Sequence, residues 1–146
     1  MSLVTDIIFV KALQANAELM AQLPAGDVYN PSIPLPDEEL DNAPIPFIIV
    51  SFGGLSNDQS SKDGYEGYSD IVNISIDVVA KTRQQLGELA DQVRSTIREY
   101  FENLSETDKY YDLVPNDYQF SAQDVQYDYR KPCYFQTLNW ECDVNV

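Results

Sequence analysis

The sequence predicts an α+β fold: a mostly antiparallel sheet of four to five strands, with two helices packed on one face. Three observations carry that expectation. Residues 70–80 alternate apolar and polar side chains at the period of a half-buried strand. Residues 82–104 repeat their apolar side chains at the period of a helix. Two more alternating runs flank Arg130-Lys131-Pro132 and read as a closing hairpin. The order helix, strands, helix, hairpin lacks the regular strand–helix–strand rhythm of a parallel sheet.

Each element follows from local chemistry. Over 5–23, Ile8, Ala12, Ala15, Leu19 and Leu23 fall at helical spacing, with Lys11, Gln14 and Glu18 on the wetter side. Ser2 or Thr5 is placed to cap this first helix, and Pro24 with Gly26 to end it. Residues 24–46 hold six of the eight prolines. Proline lacks an amide donor and fixes φ, so this stretch is expected as an extended arm, with a short strand at 27–29. A strand at 47–52 is closed by Gly53-Gly54, and the polar, glycine-bearing residues 55–69 are expected as a mobile hairpin loop. In the next strand Val72, Ile74, Ile76, Val78 and Ala80 share one face, opposite Asn73, Ser75 and Asp77.

Thr82 to Gln85 fits a capping box, and Leu86, Leu89, Ala90, Val93, Ile97, Phe101 and Leu104 build one apolar stripe after it. Beyond a polar connection at 105–117, one strand is expected over 118–129 and another over 134–145. Trp140 alternates with Leu138 and Cys142, which marks it as core. At 146 residues a single domain spanning 1–146 is the natural expectation.

Composition narrows the function. Twenty-four Asp and Glu against nine Lys and Arg give a formal charge of −15. A chain so acidic has no counterion-release route to DNA, RNA or anionic lipid, so neither sequence-specific nucleic-acid binding nor membrane binding is expected. No run approaches the roughly 20 apolar residues that span a bilayer. The chain has no histidine, which removes Ser-His-Asp and Cys-His nucleophile pairs and every imidazole metal site. Cys133 and Cys142 lie nine apart in one expected strand, about 30 Å apart on opposite faces. They cannot form an intrachain bridge, whose Cα atoms lie within about 7 Å. With no cationic start and only a short apolar run at 7–10, residues 1–23 do not read as a signal, and folding in a reducing cytoplasm is expected.

No motif for chemistry emerges. Acids fall seven, eight and nine to the segments 1–50, 51–100 and 101–146, so chance proximity accounts for any carboxylate pair. Setting Gly64 as the invariant glycine of a calcium loop puts Gln59, Ser61 and Asp63 at its first ligand positions, one good ligand in three. Gly53-Gly54 and Gly64-x-x-Gly67 lack the helix and lysine of a phosphate cradle. No cofactor, metal site or catalytic residue is expected. Tyr65, Tyr68, Tyr110 and Tyr111 stand in polar connections where core packing does not explain them. Tyrosine pairs a large apolar ring with a polar tip, so these four are the candidate interface residues.

The order of elements resembles the small tail-completion, or tail-terminator, proteins of long-tailed bacteriophages and prophages. The likeness is carried by the first helix leading through Gly26-Asp27-Val28-Tyr29 into the proline-rich stretch, and by the strand Pro46-Phe47-Ile48-Ile49-Val50. It continues in the passage Ile76-Asp77-Val78-Val79-Ala80-Lys81-Thr82 with Leu89-Ala90-Asp91-Gln92-Val93-Arg94, and in the closing strand 135–146. The resemblance implies a virion structural protein made in the host bacterial cytoplasm, not an enzyme. It implies a homo-oligomeric ring, commonly a hexamer, that caps the tail tube and joins it to the head connector at the head–tail junction. Its partners are then itself, the tail-tube protein and the head-connector protein. The arm 24–46, the loop 55–69 and the C-terminal hairpin are the candidate contacts, and acids facing the bore are expected to keep passing DNA from sticking.

Two other classes are compatible with the composition. An acidic DNA mimic that inhibits a nucleic-acid-binding protein calls for a dense one-sided acidic face, whereas here Arg83, Arg94 and Arg98 interrupt the best helix. A small carboxylate-dependent hydrolase calls for a pocket with two converging acids of raised pKa.

Overall fold

In the computed structural model the described residues are 2–31, 42–57 and 69–145. They form α1 (Asp6–Gln14), α2 (Ala17–Gln22), β1 (Phe47–Ser56), β2 (Ser69–Ala80), α3 (Arg83–Asn103), β3 (Asp117–Ala122), β4 (Gln126–Asp128) and β5 (Cys133–Asn145). The sheet runs β1-β2-β5-β3, with β4 also on β5, and every strand pair is antiparallel. The expected α+β class holds. No described helix is long and apolar enough to cross a membrane.

The expected first helix is two helices. Asn16 breaks it by doing what its short amide does better at a cap than inside a helix. Its backbone is extended and its Oδ1 accepts from the Leu19 amide at 3.1 Å. Its Nδ2 donates to Thr96 Oγ1 of α3 at 2.9 Å, tying the break to the long helix. The break changes the phase of the apolar stripe: Ile8, Phe9, Ala12 and Leu13 are buried in α1, and Leu19 and Leu23 after the bend, while Ala15 turns to solvent. Thr5 stands at the start of α1 without a side-chain cap bond.

The capping box of α3 forms with a variation. Thr82 Oγ1 accepts from the Gln85 amide at 3.1 Å, and Gln85 Oε1 reaches back to the Lys81 amide at 3.0 Å, one residue before the cap. The stripe buries Leu86, Leu89, Ala90, Val93 and Ile97. It meets Val72, Ile74, Ile76, Val78 and Ala80 of β2 and Leu138, Trp140, Cys142 and Val144 of β5. Trp140 is core as expected, with Phe9 at 5.5 Å and Phe120 at 4.9 Å between ring centroids. Arg94 of α3 lies over the outer side of that layer, 4.2 Å from the Phe120 ring centroid.

Three strand boundaries differ from expectation. β1 continues through Gly53-Gly54 to Ser56, with a bulge between Phe52 and Gly54 in its pairing with β2. Glycine is needed twice there: a Cβ at Gly53 sits 3.0 Å from the Asn73 carbonyl oxygen, and Gly54 has φ of +131°. The single strand expected over 118–129 is β3 and β4, because Gln123, Asp124 and Val125 stand opposite only Gln136 and Thr137 and shift the register. The strand expected at 27–29 is a lone parallel bridge from Tyr29 to Ile49, on the outer edge of β1. The parts of the arm and loop at 32–41 and 58–68 lie outside the described residues.

Both cysteines are free, buried and on opposite sides of β5, as their spacing predicts. Burial pushes the Cys142 thiol from 9.0 up to about 12, with the Glu141 charge adding to the shift. A raised folded-state pKa contributes stability that is complete below the unfolded value and lost as pH climbs toward the folded one. Between pH 9 and about 12, wild-type unfolding free energy should therefore fall more steeply than that of Cys142→Ala, measured by denaturant titration at each pH. Asn16→Ala, which loses both the cap and the Thr96 bond, should cost about 1–2 kcal/mol in urea unfolding at neutral pH.

Candidate interaction surface

The helices cover one face of the sheet, and the alternation of β1, β2 and β5 sends the remaining side chains to the other. The register aligns them in rows. Phe47, Val79 and Phe135 form one row; Ile49, Asp77 and Thr137 the next; Ser51, Ser75 and Asn139 the third. Asn73 with Glu141 and Gln119, then Ile71 with Asp143 and Asp117, complete the face. It is therefore graded, apolar at the β4–β5 hairpin end and acidic at the other.

At the apolar end Ala43, Phe47, Val79 and Cys133 are buried in a second, smaller cluster with Tyr29, Ile45, Ile49 and Phe135 against it. The Tyr29 and Phe47 rings meet edge to face at 6.0 Å. Between these side chains lies a basin of about 340 Å³, its wall finished by Asp77, Thr137, Asp128, Arg130 and Lys131. Thr137 Oγ1 donates to Asp77 Oδ1 at 2.5 Å, and Ser75 Oγ to Asn139 Oδ1 at 3.0 Å, so the neighbouring polar rows are internally bonded.

The hairpin tip is built by Asp128. Its Oδ1 accepts from the Arg130 amide at 2.9 Å and lies 3.7 Å from Arg130 Nε. The Arg130 side chain is nonetheless 91% exposed. Lys131 Nζ donates to the Ala43 carbonyl oxygen at 3.0 Å, holding the tip to the chain that enters β1. On the helix side of the tip, Tyr127 contacts Tyr129 and Tyr134 at 4.8 and 4.9 Å between centroids. Tyr129 is 87% exposed and Tyr127 37%. Two of the nine cations of a strongly acidic chain thus flank an apolar basin and an exposed aromatic pair.

The sequence-predicted interface residues divide. Tyr65 and Tyr68 lie outside the described residues. Tyr110 packs partly against the main core, with Lys11 Nζ 5.4 Å and Lys109 Nζ 5.0 Å from its ring centroid. Tyr111 opens the 3-10 turn Tyr111–Leu113 and is 37% exposed. The connection carrying both lies where α3 ends and β3 begins, at the opposite end of β5 from Tyr127 and Tyr129. The C-terminal hairpin, one of the expected contact regions, carries those two and the basin, and it is the individual residues that sequence reasoning missed. A signal existed: apolar residues appear on the expected wet side at strand ends, as Ile49 beside Ile48, Val79 between Val78 and Ala80, and Phe135 beside Tyr134.

At the acidic end Asp117 faces Asp143 across the β3–β5 pair, beside Glu141, in a notch of about 180 Å³. Like charges directly opposite one another destabilise a sheet locally. Among the described residues no three His, Cys, Asp or Glu converge to hold a metal ion.

No protein-family model and no curated protein matches the chain. Its fold matches a solved structure, a chain of the virion of a native gene transfer agent particle. The match covers 97% of this chain and 94% of that one, with a TM-score of 0.59 and 16% sequence identity. At that identity the likeness is one of fold. The basin end offers an apolar seat, two cations and exposed aromatic rings, a combination suited to holding a protein surface.

Burial raises the Cys133 thiol pKa, Asp128 raises it further, and Lys131 opposes both. Since the thiolate is the reactive form, Asp128→Asn should speed iodoacetamide labelling of Cys133 and Lys131→Gln should slow it, each by about two- to threefold. Site-resolved mass spectrometry at mildly alkaline pH reads both rates.

Proposed function

We propose that this chain is a structural subunit of a virion, a tail-completion protein whose copies close into a ring that caps the tail tube and joins it to the head connector. The observation that carries the proposal is the agreement of fold, over nearly the whole of both chains, with a chain of a gene transfer agent virion. The tail-completion role itself comes from the resemblance of the element order and of the strings at 26–29, 46–50, 76–82 and 89–94.

Physical features support binding without catalysis. A ring subunit needs two different contact patches, because a head-to-tail interface joins unlike surfaces. Here the exposed tyrosines and the basin gather at one end of the sheet, and Tyr111 stands with Asp112 at the other. The net charge of −15 suits a bore through which DNA must pass without adhering. Such a benefit is screened by salt over about 8 Å at physiological ionic strength.

Light scattering and negative-stain electron microscopy of the purified protein, alone and with isolated tail tubes, test the reading. A multi-subunit ring, or rings seated on tube ends, is the expected result. A strict monomer at high concentration that also ignores tail tubes overturns it.

A further inference from the structure

We propose that the basin at the β4–β5 hairpin takes the 105–113 connection of a second copy of this chain, with Tyr111 as the side chain seated in it and Asp112 against Arg130. The proposal rests on the ring reading above and names the contact through which the ring closes.

Charge selects the occupant. Two copies each carrying −15 repel one another over most of their surfaces. They can approach closely where a cationic group of one meets an acidic turn of the other. The basin rim provides such a place. Asp77 is bonded to Thr137, and Asp128 accepts from the Arg130 amide and lies 3.7 Å from its Nε, while the rest of the Arg130 side chain, 91% exposed, reaches into solvent. The 105–113 connection provides the complement: Glu106, Asp108 and Asp112 outnumber Lys109, whose ammonium group lies over the Tyr110 ring.

Size and shape agree. A basin of about 340 Å³ stands at the small end of ligand pockets, with room for an aromatic side chain and part of the turn that carries it. Tyrosine fits a wall that is part Phe47 and Phe135 and part Asp77 and Thr137, since its ring is apolar and its tip polar. Tyr111 is the tyrosine available, because Tyr110 beside it is packed against the core.

Placement makes the contact propagate. The 21 residues of α3 carry the chain about 30 Å from the hairpin end to the far end of the sheet. The connection leaves there on the helix side, whereas the basin opens on the other face. A copy whose turn fills its neighbour's basin therefore keeps its own basin empty for the next, a head-to-tail arrangement that closes into a ring when the rotation allows.

Sedimentation velocity of the full chain at low and physiological salt tests the contact. Arg130→Glu and Asp112→Lys alter exposed side chains, so circular dichroism and Tm should stay near wild-type values, and Tyr111→Ala, at a side chain 37% exposed, is compared at a temperature where circular dichroism shows it folded. Each should weaken self-association by about tenfold. Arg130→Glu and Asp112→Lys combined in one chain should restore it to within about threefold of wild type, because the pair is then reversed and not removed. If single variants assemble as wild type does, or the double variant does not recover, the contact is wrong and the ring stands by another interface. If Arg130→Glu leaves assembly intact but abolishes binding to tail tubes, the basin belongs to the tube protein, which equally overturns the proposal. A wild-type chain that is monomeric and ignores tubes fails the ring reading itself.

Discussion

Every other described element takes its position from the antiparallel pairing of β2 with β5. The two strands run in register from Ser69 opposite Asn145 to Ala80 opposite Tyr134, so their alternations coincide along the whole length. That coincidence puts Ile74 beside Trp140 and Ile76 beside Leu138 on the helix side, and Ser75 beside Asn139 on the other. A slip of one residue sends one strand's apolar set to solvent, which burial of these side chains strongly opposes. β1 then adds to the free side of β2, and β3 and β4 to the free side of β5. The helices close over the one continuous apolar surface that results.

The same pairing creates the open face. Period-two alternation is kept through the middle of each strand and broken at the ends, where Phe47, Ile49, Val79 and Phe135 are apolar on the side away from the helices. Their juxtaposition on three strands produces a basin, and the hairpin turn at Asp128 places Arg130 and Lys131 on its rim. At the far end the same face carries Glu141, Asp143 and Asp117. The molecule is therefore polarised along its strands, with an apolar, cation-flanked end and an acidic end.

Much of the fold was legible in the sequence. The β2 alternation, the α3 stripe with its Thr82 cap, the hairpin around 130–132, the core placement of Trp140 and the separation of the two cysteines all follow from patterns within a few residues. What misled was also local. Ala15 and Ala17 continue an apolar rhythm that Asn16 interrupts, and the alternation of 118–129 conceals the register shift at 123–125. Glycine pairs read as strand ends, yet Gly53-Gly54 supports a bulge inside β1. The candidate interface residues were less legible. Tyr110 and Tyr111 look equivalent in a polar connection, but one packs against the core beside two lysines and the other remains exposed.

Periodicity, caps and composition belong to the chain before it folds, and they suffice for the class of fold, the burial pattern of its two best elements and the exclusion of imidazole chemistry. Where the first helix breaks, which tyrosines reach solvent, and the meeting of Phe47, Val79, Phe135 and Arg130 on one surface depend on contacts made across the fold. Phe47, Val79 and the hairpin that carries Arg130 and Phe135 are separated by dozens of positions and are joined by strand register and by long-range bonds such as Asn16 to Thr96 and Lys131 to Ala43. The meaning of the charge changed accordingly. A net −15 states what the whole chain repels, while Arg130 and Lys131 beside a basin mark one place where an acidic group can approach.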